Sequence, residues 1–251
     1  MTFTVLEHGG PKAFAHRGGA SEAPENTLPA FEYAVGLGYR YLETDVHLTA
    51  DGVLMAFHDD RLDRTTDRVG VLAEMTYREV AAARVDGREP IPRFEELLAA
   101  FPGARFNIDP KSDAAVEPLA ALLRRSNAID RVLVAAFSDD RIRRMVALCG
   151  PSLCAAAGPR AIARFVARVK AGIGAGRVAP PVFQVPLEHK GIRILTPRFV
   201  EYAHAAGSEV HVWTVDDPPT MNELLDLGVD GIMTDRPAVL KEVLVARGQW
   251  V

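Results

Sequence analysis

Two cysteines in a chain of 251 residues are too few for a disulfide framework. Cys149 and Cys154 also lack the company a zinc site needs, and their apolar neighbours predict buried, reduced thiols. No stretch approaches the roughly 20 apolar residues of a membrane span, so stable membrane insertion is not expected. Residues 1–12 hold no apolar core of signal-peptide length. Together these absences predict a soluble, cytoplasmic protein. A basic excess is missing too. The formal net charge is -4 and the pI near 6.0, which argues against a nucleic-acid partner. The charges look well mixed, and the densest basic cluster, Arg141, Arg143 and Arg144, reads as the solvated face of a helix.

What is present is ordinary globular composition, with 48% hydrophobic and 25% charged residues. Such a length suits two small domains or one α/β barrel, so pattern has to decide. Short apolar runs predict strands over 13–16, 41–45, 105–109, 132–136, 153–156, 182–185, 209–214 and 231–234. Helical periodicity falls between them, over 28–37, 114–125, 139–148, 161–171, 197–206, 220–227 and 238–246. Strand–helix alternation implies parallel strands covered by crossover helices. Eight units in this length predict a single α/β domain over 1–251, a closed (β/α)8 TIM barrel. The competing arrangement is a doubly wound open sheet. Against it, no Gly-x-Gly-x-x-Gly follows the first strand and no linker divides the chain.

Helix punctuation agrees. Asn26 and Thr27 are capping types, Pro29 fits a first turn, and Gly207 and Gly228 fit helix ends. The rhythm breaks over 46–104, between the second barrel strand and the third. There an extra strand over 53–57 follows the Asp51-Gly52 turn, and 94–101 reads as a short helix. An insertion on a strand-to-helix loop lands at the catalytic mouth of a barrel and is expected to wall the site. The Gly- and Pro-bearing stretch 175–181 reads as a loop.

Polar residues collect where the strands end. The first strand ends Ala15-His16-Arg17-Gly18-Gly19, the second Glu43-Thr44-Asp45, the third Asn107-Ile108-Asp109-Pro110-Lys111, and the insertion's strand Phe57-His58-Asp59. Glu43 and Asp45 are two apart on a strand and so share a face. Two unpaired carboxylates in a barrel interior would be costly, and a divalent cation relieves that cost. With Asp109 arriving from the next barrel strand, the site is oxygen-only and suits magnesium, calcium or manganese better than zinc. The plainer alternative pairs Glu43 and Asp45 with Arg17 and Lys111. His16 and His58 can serve as general base and general acid. A lone strand-end histidine is more often a hydrogen-bonded rim residue, but here two stand beside carboxylates and cations. His47 continues the Glu43, Asp45 alternation, which allows it a supporting role. His8, His189, His204 and His211 lack such context. Arg17 and Lys111 suit an anionic substrate whose charge grows in the transition state, as in phosphoryl transfer.

The residues match a known family. His16-Arg17-Gly18, Pro24-Glu25-Asn26-Thr27, Ala30-Phe31, Glu43-Thr44-Asp45-Val46, Thr49-Ala50-Asp51-Gly52, His58-Asp59, Leu62 and Arg64-Thr65-Thr66 resemble the opening signature of glycerophosphodiester phosphodiesterases. Val212-Trp213-Thr214-Val215 and the run from Gly228 to Pro237 are similar to its closing motifs, so the resemblance spans nearly the whole chain. It implies hydrolysis of glycerophosphodiesters, small-molecule substrates, to glycerol 3-phosphate and an alcohol, with magnesium or calcium. By the same resemblance His16 and His58 form the acid–base pair, Glu43 and Asp45 hold the metal, and Arg17 and Lys111 hold the phosphate. A proposed route has the glycerol 2-hydroxyl attack phosphorus first, giving a cyclic phosphate that water opens. The chain departs from the family where the third strand often ends Glu-x-Lys, for here it reads Asp109-Pro110-Lys111.

Trp213 either flanks the glycerol or plugs the barrel core. Gln184 and Glu188 could line the mouth, and Thr234 and Asp235 read as structural residues closing the barrel. Two other functions compete: a phospholipase D-like activity on lysophospholipid or sphingomyelin, and a catalytically silent phosphodiester-binding barrel. The first needs an apolar wall, which the insertion does not supply. The second predicts loss of His16, His58, Glu43 or Asp45, and all four are present.

Overall fold

The computed structural model describes residues 3–173 and 179–251. Part of the loop expected over 175–181 therefore lies outside the described residues. The chain opens with β1 (Lys12–Ala15), α1 (Leu28–Gly36) and β2 (Tyr41–Leu48). An insertion follows, with β3 (Leu54–Ala56), α2 (Tyr77–Val80) and the two-residue strands β4 (Arg84–Val85) and β5 (Glu89–Pro90), before α3 (Phe94–Ala100) completes the second unit. Next come β6 (Arg105–Pro110) with α4 (Val116–Arg125), β7 (Val132–Val134) with α5 (Asp139–Cys149), and β8 (Cys154–Ala155) with α6 (Pro159–Ala171). β9 (Val182–Val185) leads through the ribbon β10 (Glu188–His189) and β11 (Ile192–Arg193) to α7 (Pro197–Ala205). Two last units, β12 (Glu209–Val212) with α8 (Pro218–Leu227) and β13 (Gly231–Thr234) with α9 (Pro237–Ala246), complete the described chain.

Eight of these strands run parallel in the order β8-β7-β6-β2-β1-β13-β12-β9. The ends of that path meet at one parallel bridge, Ala156 to Val182, where the Ala157 N–H donates to the Val182 carbonyl at 2.8 Å. The sheet therefore closes into the expected barrel, with its thinnest seam beside the two-residue β8. Each barrel strand is covered on both faces, which is why the strands read as short continuous apolar runs. The Asp51-Gly52 turn joins β2 to β3 as an antiparallel hairpin, and the insertion has a small core of its own around Met55, Phe57, Leu62 and Leu72. No helix of the described residues is long and apolar enough to cross a membrane.

Helices bind the barrel by one face. On α6, Phe165 and Val169 turn inward; the Phe165 ring stacks on Phe183 at 4.3 Å and meets Phe199 edge-on at 4.8 Å. Burying each such ring contributes about 1.5–3 kcal/mol. Ser138, Thr196 and Asp217 accept cap hydrogen bonds at three helix starts, and Gly228 ends α8 in the left-handed region. Asn26 and Thr27 differ from expectation. Thr27 precedes α1 without a side-chain cap bond, and its hydroxyl donates to the Pro24 carbonyl. Asn26 turns instead toward β2. Of the two free thiols only Cys154 is buried, while Cys149 is half-buried at the end of α5. Arg141, Arg143 and Arg144 pair on the surface with Asp113, Asp140 and Glu117.

At the N-terminal ends of the barrel strands, Lys12 and His211 both donate to Glu209, each at 2.9 Å. Burial holds the His211 pKa below its ordinary value, against the pull of Glu209. A Cβ on Gly231 would stand 2.8 Å from His211 Cδ2 and 2.9 Å from the Phe14 ring. Gly231→Ala is thus expected to destabilise the fold by about 1–3 kcal/mol through overpacking. A denaturant midpoint equal to wild type would mean this layer yields freely. His211 also sets a pH dependence. Its folded-state pKa is depressed, so its contribution is present above pH 6.5 and lost as pH falls toward the folded value. Wild type should lose up to about 1.4 kcal/mol per pH unit more than His211→Gln in that window. Parallel stability curves for the two proteins would contradict this.

Candidate active site

The mouth is assembled from three strand ends and one hairpin. After β1 the chain turns sharply through His16–Gly18, with Arg17 at φ 51° and Gly18 at φ 83°. A Cβ on Gly18 would lie 2.8 Å from Ala30 Cβ on α1, so only glycine permits this close approach. The turn aims the Arg17 N–H at Glu43 Oε2, 3.0 Å away. β2 and β6 pair in a register that sets Glu43 beside Asn107 and Asp45 beside Asp109. Asp45 and Asp109 are therefore adjacent buried carboxylates, a repulsive arrangement in a low dielectric. Lys111 answers it, reaching Asp45 at 2.7 Å and Asp109 at 2.8 Å.

Asp45 has further partners. Arg17 Nε stands 3.5 Å away, and the Asn26 amide donates to Asp45 at 3.2 Å while accepting from Thr44 at 2.8 Å. Burial pushes the Asp45 carboxyl up, but Lys111, His58 and Arg17 outweigh it and hold it below its usual range. Glu43 is poorer in cations. Burial, then the neighbouring Asp45 charge, raise its pKa to about 7. Asp109 is raised as well, chiefly by burial against the pull of Lys111, and its Oδ1 is buried with no hydrogen-bond partner.

Both histidines are held in the same way. His16 donates from Nδ1 to Asp235 and His58 from Nδ1 to Asp59, each at 2.6 Å. Each imidazole thus keeps Nε2 for the cavity; His16 Nε2 lies 3.8 Å from Glu43. Burial lowers the His16 pKa, yet Glu43 and Asp235 overcome it and leave it raised. Asp59 is drawn down to about 2 by Arg64, which grips both its oxygens at 2.6 and 3.0 Å. The same guanidinium grips Glu25 at 3.0 and 2.6 Å, and Glu25 accepts from Arg17 at 3.0 Å. His47 fixes the backbone here by donating to the His58 carbonyl at 2.9 Å.

All eight residues expected at the site line one cavity of about 720 Å³: His16, Arg17, Glu43, Asp45, His58, Asp109, Lys111 and Trp213. Trp213 lies at its wall, edge-on to Phe137 at 5.7 Å, and also packs on the core cluster of Phe14, Tyr41 and Met233. Gln184 lines the cavity beside Asn107, and the two amides face each other at 3.3 Å. Glu188 is exposed on the ribbon. His189 reaches the rim, His204 pairs outside with Asp230, and His8 bonds to Gly10 and meets the Tyr41 ring edge-on. Asp235, read as structural from the sequence, is instead the partner that orients His16. Asp59, Arg64 and Glu25 were legible only as motif letters, because their roles arise from contacts across the insertion.

Among the described residues no group of three or more Asp, Glu, His or Cys is arranged as a metal site. The Lys111 ammonium lies between Asp45 and Asp109, as the salt-bridge alternative requires. The donor set still fits a hard cation: three oxygen ligands, one with an orphaned buried atom and one raised to about 7 by burial and the neighbouring Asp45 charge. Beyond these groups and the polar Asn107, Gln184, His189, Lys170 and Thr214, the lining is apolar. Phe137, Ile162, Val166, Ile192 and Ile194 form a wall opposite the carboxylates, contributed by α6, the ribbon and the loop after β7. The insertion supplies His58 and its supports, but not that wall.

A model of the glycerophosphoryl diester phosphodiesterase family matches residues 16–239. A probable glycerophosphodiester phosphodiesterase 2 of Mycobacterium tuberculosis is 41% identical over 99% of this chain and 96% of its own length. Among solved structures, a putative glycerophosphoryl diester phosphodiesterase from Silicibacter pomeroyi covers 100% of both chains with a TM-score of 0.83 at 26% identity. An Oleispira antarctica phosphodiesterase, solved with the product sn-glycerol-3-phosphate, shares the fold with a TM-score of 0.78 at 23% identity over 94% of this chain and 97% of its own. Since the matching model covers both histidines, every carboxylate of the mouth and the closing strand, the chain belongs to the glycerophosphoryl diester phosphodiesterase family and is a phosphodiesterase.

Proposed function

We propose that the cavity binds a glycerophosphodiester and that the chain hydrolyses it to glycerol 3-phosphate and an alcohol, with His16 and His58 as the acid–base pair. One observation carries the reading. Two imidazoles, each fixed through Nδ1 by an aspartate at 2.6 Å, flank a row of buried carboxylates. One Nε2 takes the proton of the attacking hydroxyl, and the other returns a proton to the departing alkoxide. Arg17 and Lys111 hold the phosphate, and Trp213 lies where it can cover the glycerol. Asp235 and Asp59 steady the imidazolium form of their partners. Glu43, Asp45 and Asp109 would hold Mg2+ or Ca2+, with Mn2+ also suited, and such an ion supplies Lewis-acid stabilisation of a phosphoryl oxygen. The glycerol 2-hydroxyl is the proposed first nucleophile, which requires a cyclic phosphate during turnover. A cytoplasmic location belongs to the same reading and is supported by two unpaired cysteines.

A lysophospholipid or sphingomyelin substrate is the second reading. It is favoured by the apolar wall of Phe137, Ile162, Val166, Ile192 and Ile194. Relative rates on glycerophosphocholine and lysophosphatidylcholine separate the two.

On a panel of glycerophosphodiesters with Mg2+, Ca2+ or Mn2+, His16→Ala and His58→Ala should each lower kcat by about 10²–10⁴. A fully active His16→Ala protein would sink the mechanism. Chelation should abolish turnover and added metal restore it. Asp109→Asn should raise the metal concentration for half-maximal activity by more than about tenfold. An unchanged metal response would assign Asp109 to Lys111 alone.

A further inference from the structure

The charge of this chain is unevenly placed. Between residues 151 and 200 Glu188 is the single acidic residue against eight Lys or Arg, in a chain of net charge -4. This corrects the even mixing read from the sequence. The segment builds β8, α6, β9 and the ribbon, the same part of the barrel that supplies most of the apolar cavity wall. Arg160, Arg164, Lys170, Lys190 and Arg193 are exposed, and among the described residues none forms an ion pair. Arg125 and Arg143, exposed elsewhere on the surface, are by contrast each held by a carboxylate.

The same region carries exposed apolar side chains. Phe137 is 69% exposed, Ile173 64% and Ile192 47%. On α6, Ile162, Ala163, Val166, Ala167 and Lys170 recur at helical spacing along the cavity-facing side, while Phe165 and Val169 anchor the opposite side in the core. Arg160 and Arg164 are exposed along one edge of that stripe, one turn apart. A helix whose partly exposed apolar stripe is edged by cations is the pattern that lies along a membrane interface.

We propose that this rim, made of α6, the Phe137 loop and the β10–β11 ribbon, docks on an anionic lipid surface. Phe137, Ile173 and Ile192 enter the headgroup boundary, and the cations meet lipid phosphates. The cavity opens between them, so an amphiphilic phosphodiester passes from the surface toward His16 and His58 without crossing water. That last step rests on the phosphodiesterase reading; the docking does not. A nucleic acid would also answer the positive charge. It is less well matched, because the side chains between the cations are mainly aliphatic and offer bases little to stack upon.

The test is sedimentation of the full chain with vesicles of phosphatidylglycerol in phosphatidylcholine, and of phosphatidylcholine alone, at low and high salt. Each Lys or Arg near an anionic surface strengthens partitioning about fivefold. Wild type should bind the anionic vesicles and release them at high salt. Arg164→Glu with Lys190→Glu should weaken binding by about tenfold or more. Ile173→Ser should weaken it while leaving the salt dependence unchanged. Neither Arg164, Lys190 nor Ile173 lines the cavity, so unfolding midpoint and turnover of soluble glycerophosphocholine should stay at wild-type values. Equal binding to phosphatidylcholine, no vesicle binding, insensitivity to the substitutions, or tighter binding to duplex DNA would each overturn the proposal. Binding without hydrolysis would count against the phosphodiesterase reading alone, and hydrolysis without binding against the docking alone.

Discussion

Asp45 and Asp109 sit opposite each other on adjacent parallel strands, and the rest of the mouth is arranged around making that tolerable. Two ionised carboxylates so placed in a buried layer repel by several kcal/mol at any effective dielectric suited to the site. The chain supplies compensation from three directions. Lys111 bridges the pair from the end of β6, Arg17 approaches from the turn after β1, and Asn26 donates from the start of α1. Glu43 receives the Arg17 backbone N–H and the weaker pull of the His16 imidazole and Lys111, and burial, then the Asp45 charge, leave its pKa raised. The mouth thus holds more buried negative charge than its own cations neutralise, and it is placed where a cationic ligand can reach it.

The histidines depend on the same economy of charge at one remove. Asp235 reaches His16 from the end of β13, and Asp59 reaches His58 from the residue that follows it. Asp59 is itself clamped by Arg64, whose other edge grips Glu25, which in turn holds Arg17. A continuous chain of charge-assisted bonds therefore runs from the insertion to Arg17 in the β1–α1 turn, whose Nε stands 3.5 Å from Asp45 as an ion pair. Bidentate arginine contacts fix direction as well as distance. The insertion's small apolar core keeps that chain in place, since Phe57 and Leu62 are buried on either side of the His58-Asp59 step. What the insertion contributes is orientation of one imidazole, more than a wall.

These facts explain how much could be read before the fold was known. Strand and helix positions followed from apolar periodicity, and two strands, Val182–Val185 and Gly231–Thr234, fall where the pattern put them. Glu43 and Asp45 were legible because a two-residue spacing fixes a shared face. Asp235 was not, because its partner lies 219 residues away and nothing local distinguishes it from a helix-start aspartate. Asn26 was misread for the related reason that cap chemistry is local and its actual bond to Asp45 is tertiary. Charge placement does not show as a run of letters, because the basic residues of α6 are spaced by helical turns.

The cavity is divided, and the division follows the barrel. Charged groups come from β1, β2, β6 and the hairpin, while the apolar wall comes from the β7–β9 side. A small polar diester would need little of that second half. Polar walls would hydrate freely and compete with an attacking hydroxyl for both histidines; an apolar wall lowers the local dielectric and strengthens every contact to the phosphate. The same wall reaches solvent through side chains such as Ile192 and Phe137, which are costly to leave wet unless something covers them. The arrangement that excludes water from the chemistry is thus the one that gives the rim its affinity for an apolar boundary, and both follow from a single face of α6.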